Sequence, residues 1–425
     1  MEPKRSLTLD EIDLSDFEFW SRPLEEREGA FLTLREEDPI RFFEEPKVEM
    51  FPPGPGYYAL TRHADVLEAS KQPALFCSGK GTNIGDMPTE FLEFLGSMIN
   101  MDDPKHARMR RIVSRGFTPR QLDQMKGDVE ATAAGIVDDV IERGEGDFVT
   151  DIAATLPLRI IVDMMGIPRS QEEFIFDRTN VILGLGDPEY VPDQTEPGIM
   201  AALLTAAQDL NMLITELAEE RIKNPKDDLT TALVTAELDG ETLTAAEMAS
   251  FFILLVVAGN ETTRNAIAHG LHALTLHPEQ RDRWMADFDG LAPTAVEEIV
   301  RWATPVIHFR RTCTQDGARI GEHTFNQGDK VVLWYASANR DAAVFDEPFR
   351  FDIGRTPNDH LGFGGPGPHF CLGAHLARRE ITVMFKELFT RMPDVHSVGE
   401  PARLQSNFIN GIKHLPAAWT PAAAS

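Results

Sequence analysis

The chain has 425 residues, of which 42% are hydrophobic and 26% charged, the balance of a globular protein able to bury a large core. Lysine and arginine total 41 against 68 aspartates and glutamates, a net charge of −27, which argues against nonspecific binding to nucleic acid or to anionic lipid. The three cysteines, Cys77, Cys313 and Cys371, are widely spaced and form no C-x-x-C pair, so neither a disulfide framework nor a zinc ribbon is expected and a reducing cytoplasm fits.

The opening MEPKRSLTLDEIDL carries no apolar signal region. The longest strongly apolar run, residues 251–258, is far short of the roughly 20 residues that span a bilayer. An N-terminal segment of residues 1–55 ends in the proline- and glycine-rich loop EPKVEMFPPGPG. YYALTRH then predicts a short strand and ADVLEASKQ a helix. Most of residues 121–289 predicts helix, interrupted at GIPRS, GLGDPEYVPDQTEPG and KNPKDD. HFRRTCT and KVVLWYA predict strands, and a further helix is expected to begin near Cys371. The pattern is that of a mainly α protein with a minor β-sheet region, in one large domain over residues 1–425.

One predicted helix stands apart. TAAE, from Thr244 to Glu247, is a capping box, and no proline follows until Pro278. A helix over 244–277 would be roughly 50 Å long at 1.5 Å per residue. Its centre is apolar all round, as in a buried helix, yet that centre holds AGNETT, residues 258–263. Small, acidic and hydroxylic residues there break the pattern, as functional sites do.

The stretch HLGFGGPGPHFCLG, residues 360–373, sets a glycine-rich loop around Cys371. A buried structural cysteine is one reading. Gly362, Gly364 and Gly367 satisfy G-x-G-x-x-G, but no strand precedes them as a dinucleotide fold requires. A nucleophilic Cys371 with His369 as base is disfavoured, since residues two apart on a loop rarely align. A haem thiolate ligand accounts for more. Glycines let the backbone approach a flat macrocycle and donate N–H groups to sulfur. A helix beginning at the cysteine would lower the thiol pKa, Phe370 could shield the sulfur, and a thiolate ligand favours O–O cleavage.

Together these residues resemble the cytochrome P-450 family of haem-thiolate monooxygenases, over nearly the whole chain. Gly367, four residues before Cys371, fits the family's cysteine motif, whereas Phe363 lies eight residues before it instead of seven, so the loop is one residue longer. The resemblance is to an actinobacterial and mycobacterial subgroup that hydroxylates the terminal (omega) carbon of methyl-branched lipids and oxidises sterol side chains. It implies haem b with Cys371 as axial ligand. Phe363, Gly365 and Gly373 would then lie around the haem, and His106 and Arg110 of HARMR, with Arg311 and His369, would hold its propionates. Arg310 is adjacent to Arg311 and is the other candidate. Glu298 and Arg301 of EIVR, with Arg350 of EPFRFD, would form a buried brace. Glu261 and Thr262 would relay protons, the Thr262 hydroxyl bonding the Ala258 carbonyl and opening the helix locally, with Gly259 letting the helix approach the haem.

By the same resemblance, substrate contacts are expected from Ile99, Asn100, Leu183, Leu255, Val256, Ala258, Val306, Ile307 and Phe408, a mainly apolar set that suits a lipid. With no flavin domain in the chain, a ferredoxin and a separate reductase are implied as electron donors. Lys105, Arg108, Arg111, Arg115, Arg378 and Arg379 form a candidate basic patch for an acidic ferredoxin. A macrolide or terpene substrate, a peroxide-driven reaction and a non-catalytic haem sensor are the alternatives. The acid–alcohol pair argues against the last two.

Overall fold

A computed structural model describes residues 1–46, 54–117, 126–238 and 241–422. Residues 47–53 of the proline- and glycine-rich loop, residues 121–125 of the expected helical stretch and the side chain of Arg115 lie outside the description. The helices that build the site are, in chain order, α1 (Lys105–Val113), α2 (Thr155–Met165), α3 (Glu172–Leu183), α4 (Ala245–Leu276), α5 (Phe288–Ala303) and α6 (Ala374–Arg391).

Helix α4 follows its sequence. Thr244 is the N-cap, the Glu247 N–H donates to Thr244 Oγ1 at 3.1 Å, and the Thr244 N–H donates to Glu247 Oε2 at 2.9 Å. The two orphan donors of the first turn are thereby satisfied. The helix is 32 residues long and most of its side chains are buried. It packs against α2, α3, α5 and α6, so it is the axis on which the rest is assembled. By length and composition alone it could cross a membrane, but its apolar surface is spent on these neighbours.

The predicted interruptions fall where expected. Helix α2 ends at Gly166, which adopts φ +71° as the left-handed cap. Residues 184–195 separate α3 from the helix Glu196–Lys223, so the final EPG of the expected interruption GLGDPEYVPDQTEPG already forms the first turn of that helix.

The main sheet contains β1 (Ile40–Phe43), β2 (Tyr57–Leu60), β3 (Phe76–Cys77), β4 (His308–Cys313) and β5 (Lys330–Trp334), in the order β1-β2-β5-β4-β3. β5 runs parallel to β2 and antiparallel to β4, with Val331 opposite Arg311 and Val332 opposite Arg310. The last long helix begins at Ala374, after a turn, instead of at Cys371. The cysteine therefore stands just ahead of the helix, where backbone N–H groups are unspent.

Candidate functional site

A cavity enclosing about 1650 Å³, its mouth included, lies between α4 and the loop before α6. Cys371 is on its wall. The loop is closed by the Cys371 N–H donating to the Phe363 carbonyl at 2.9 Å. Gly364 and Gly367 adopt φ +84° and +150°, where any other residue would be strained. A Cβ on Gly365 would sit 2.6 Å from Ser70 Oγ, and one on Gly367 2.6 Å from the Ser70 carbonyl oxygen. These two glycines are thus required by close approach to the helix His63–Lys71, a packing reason beyond the expected fit to a macrocycle.

Cys371 is exposed and lines the cavity. Burial pushes its pKa up, opposed by the N–H groups of Gly373 and Ala374 and by the charges of Arg110 and Arg378. The lowered value expected from the helix start does not hold, because the desolvation penalty exceeds the help of two amides. A metal cation at the sulfur would supply the missing compensation. The Phe363 ring keeps to the cavity wall despite the longer loop, stacked 4.3 Å from the Arg378 guanidinium. Phe370 is partly exposed and also lines the cavity.

His106, Arg110, Arg311 and His369 all reach this cavity. The His106 and His369 rings lie 4.3 Å apart. Burial first, then Arg311, His106 and Arg110, hold the His369 pKa far below the usual imidazole value, and burial and Arg110 lower that of His106. Among the described residues neither Arg110 nor Arg311 meets a carboxylate, and the buried Nε2 of His106 has no hydrogen-bond partner. Buried cations normally face anions. An apolar cavity with a thiol on its wall and this uncompensated positive group fits an iron porphyrin whose two propionates meet the cations. Arg310, the neighbouring candidate, points away from the cavity.

On α4, the Thr262 hydroxyl donates to the Ala258 carbonyl at 2.7 Å, and both residues line the cavity. Gly259 lines it too, but its lack of a side chain serves packing: a Cβ there would lie 2.6 Å from Ile161 Cδ1 on α2. Glu261 is turned off the wall. It is ion-paired with Arg264, Oε1 accepts from Asn265 Nδ2 at 2.9 Å, and Oε2 is buried with no hydrogen-bond partner among the described residues. Arg264 also donates to Asn180 Oδ1 on α3 at 2.9 Å.

The brace on α5 corrects one expectation. Arg301 and Glu298 are fully buried, with Nε to Oε2 and Nη2 to Oε1 both at 2.8 Å. The third member is Arg355, whose Nε donates to Glu298 Oε2 at 3.1 Å. Arg350 contributes only its carbonyl, accepting from Arg301 and Arg355, while its side chain is solvent-exposed and pairs with Glu347. EPFRFD offers a plausible arginine by position, but the chain turns before Arg355 reaches inward.

Of the expected substrate contacts, Ile99, Leu255, Ala258 and Val306 line the cavity. Asn100, Leu183, Val256, Ile307 and Phe408 do not. Val256 and Ile307 are packed in core clusters, Phe408 lies against His308 and Phe309, and the Asn100 amide is engaged with Thr82 and Leu92. The wall also includes Met98, Phe117, Ile161, Met164, Phe251 and Phe309, which carry no local signal beyond being apolar. Sequence reasoning also missed Glu380 on α6. It is buried on the cavity wall, where desolvation pushes its pKa up to about 8 against a hydrogen bond with Thr263. In the candidate basic patch, Arg108 is paired with Glu247 and Arg378 with Glu297, so two of its charges are neutralised.

The family profile of cytochrome P450 matches residues 169–392. The chain belongs to the cytochrome P450 family: it is a haem-thiolate monooxygenase. It is 52% identical over 421 residues to the methyl-branched lipid omega-hydroxylase of Mycobacterium tuberculosis, covering 98% of this chain and 97% of that protein. It is 37% identical over 420 residues to the steroid C26-monooxygenase of Mycolicibacterium smegmatis, covering 96% and 95%. A Mycobacterium marinum cytochrome P450 solved in complex with pseudoionone superposes with a TM-score of 0.91 at 42% identity, covering 96% of this chain and 98% of that one.

Proposed function

We propose that this enzyme hydroxylates the terminal carbon of methyl-branched lipids or fatty acids and of sterol or isoprenoid side chains, using O2 and two electrons delivered from outside. The observation that carries the reading is the cavity: polar at the Cys371 and arginine side, apolar where Ile99, Leu255, Ala258 and Val306 meet. The names of the mycobacterial relatives support the substrate class.

When bound, haem supplies oxygen activation at an otherwise inert carbon. In this reading Cys371 would hold its iron, and His106, Arg110, Arg311 and His369 would hold its propionates by charge-assisted hydrogen bonds. Phe363, Gly365 and Gly373 shape the loop around it. Thr262, its hydroxyl proton given to the Ala258 carbonyl, presents an oxygen at the cavity wall that accepts a hydrogen bond and so positions a proton-carrying group there. Glu261, one residue away and still carrying a free oxygen, passes protons inward from the Arg264 side. The apolar wall excludes water and holds the end methyl forward, which the stronger primary C–H bond requires. We assign electron delivery to a ferredoxin with its own reductase, and the setting to the cytoplasm.

The test is an optical titration of the ferric holoenzyme with a methyl-branched fatty acid, a straight-chain one, cholest-4-en-3-one and a macrolide. A low- to high-spin shift with the branched lipid or sterol, followed by a terminal alcohol as product, is the expected result. A shift with the macrolide alone overturns the substrate and leaves the chemistry.

A further inference from the structure

Strand β4 alternates, as strands do. Phe309 and Arg311 face the cavity, and Arg310 between them faces the other way. Its guanidinium is fully buried within the loop that leads from β3 towards the helix Thr89–Gly96. Nε donates to the Gly81 carbonyl at 3.1 Å, Nη1 to the Ile84 carbonyl at 3.1 Å and to Asp86 Oδ1 at 2.7 Å, and Nη2 to the Lys80 carbonyl. The Arg310 backbone N–H donates to the Thr82 carbonyl at 2.7 Å. Gly81 adopts φ +107°, and a Cβ there would sit 2.8 Å from Nη2. The loop is wrapped around this one side chain. Lys330 on β5 adds a contact to Asp86 at 2.8 Å.

The same loop holds part of the cavity wall. Thr82 Oγ1 donates to Asn100 Oδ1 at 2.8 Å, and Asn100 Nδ2 donates to the Leu92 carbonyl at 3.2 Å. Asp102 accepts from the N–H groups of Ser78 and Gly79 at 2.8 and 2.9 Å. Asn100 closes the 3-10 turn Ser97–Asn100, and Met98 and Ile99 of that turn line the cavity. Asn100 is thus a tether behind the wall.

We propose that Arg310 is a positioning residue for substrate selection. It fixes residues 80–86, these fix Asn100 through Thr82, and Asn100 fixes the Met98 and Ile99 side chains that decide which carbon reaches the haem. The inference rests on the terminal-hydroxylation reading above. Its physical basis is that a shift of about 1 Å in a bound substrate is enough to change the outcome at a reacting centre. Only a planar five-donor fork can serve three carbonyls and a carboxylate at once, which a lysine ammonium cannot.

The test uses the holoenzymes of Arg310→Lys and Thr82→Val beside the wild type, with a fatty acid ending in an isopropyl group. Two quantities are read: the ratio of terminal to adjacent tertiary alcohol, and amide hydrogen exchange over residues 80–86 and 97–101. Thr82→Val is expected to lower the ratio about fivefold, the equivalent of one buried hydrogen bond, and Arg310→Lys to lower it further, with faster exchange in both segments. The spin shift falls while the pH profile of turnover stays. A ratio equal to wild type in folded variants whose exchange has quickened overturns the proposal. If Arg310→Lys yields no holoenzyme, Thr82→Val, which removes one hydroxyl, decides alone. A wild type that makes no terminal alcohol overturns the parent reading instead, and the distribution over whichever carbons it does oxidise then tests Arg310 by the same comparison.

Discussion

Among the described residues, two glutamate–arginine pairs lie buried, each three residues apart on a helix, and they are built to different ends. In the α5 pair every donor is spent. Arg301 reaches both oxygens of Glu298 and the carbonyls of Asn339, Pro348 and Arg350, while Glu298 also accepts from the Asp352 N–H, Arg355 and Asn358. In the α4 pair, Glu261 Oε2 and Arg264 Nε are buried and have no hydrogen-bond partner among the described residues. A fully satisfied buried network rigidifies its surroundings. A half-satisfied one costs stability and is tolerated where chemistry needs an open valence. The first holds the core that carries the cysteine loop, and the second stands beside the hydroxyl of Thr262.

The contrast can be broken at several points. Arg301→Ala strips the fully buried Glu298 of its bidentate partner, leaving Arg355 as its remaining charged contact, and is expected to cost about 3–5 kcal/mol. That is a large fraction of a typical folding free energy, so denaturant titration should show a collapse of stability and the purified protein little bound haem. Glu261→Gln should act differently, because an amide oxygen still accepts from Arg264 and Asn265. Turnover is expected to fall by about a hundredfold, the scale of a lost general acid, with a larger solvent isotope effect and a melting temperature much closer to wild type.

Thr262→Ala should be milder still in electron consumption, which continues, while product formed per electron pair falls several-fold. Coupling at the wild-type level would remove Thr262 from the proton path. At the small end, Arg350→Ala should change stability by no more than about 0.5 kcal/mol. Arg355→Ala is expected to cost about 2 kcal/mol. Equal effects from these two variants in chemical denaturation would erase the distinction between a carbonyl contribution and a charged one.

What was legible in the sequence follows the reach of the forces involved. Thr244 and Glu247 cap their helix through contacts three residues apart, and the loop around Cys371 is one continuous segment, so both could be read directly. His106 and Arg110 share a helix face by spacing alone. Arg355 was not legible, because nothing local distinguishes it from Arg350; the turn between them decides which one points inward. The cavity wall was half legible. Ile99 and Val306 could be named, but Phe117, Ile161 and Met164 are brought there by packing of distant elements. Asn100 was expected at the substrate because its segment resembles one that faces substrate in the family, but its amide is spent on Thr82 and the Leu92 carbonyl of its own chain. Glu380 left no signal: a glutamate in an ordinary helical register becomes unusual only once α4 covers it.

The apolar wall has a consequence for how such an enzyme changes over time. Residues 97–101, 161–164 and 305–309 bring wall side chains from separate parts of the chain, whereas the cysteine loop and α4 carry Cys371 and Thr262. Recombination or directed evolution confined to those three segments would therefore explore new substrates while the oxidising centre is inherited intact. Families built this way diversify by exchanging their upholstery and keeping the frame.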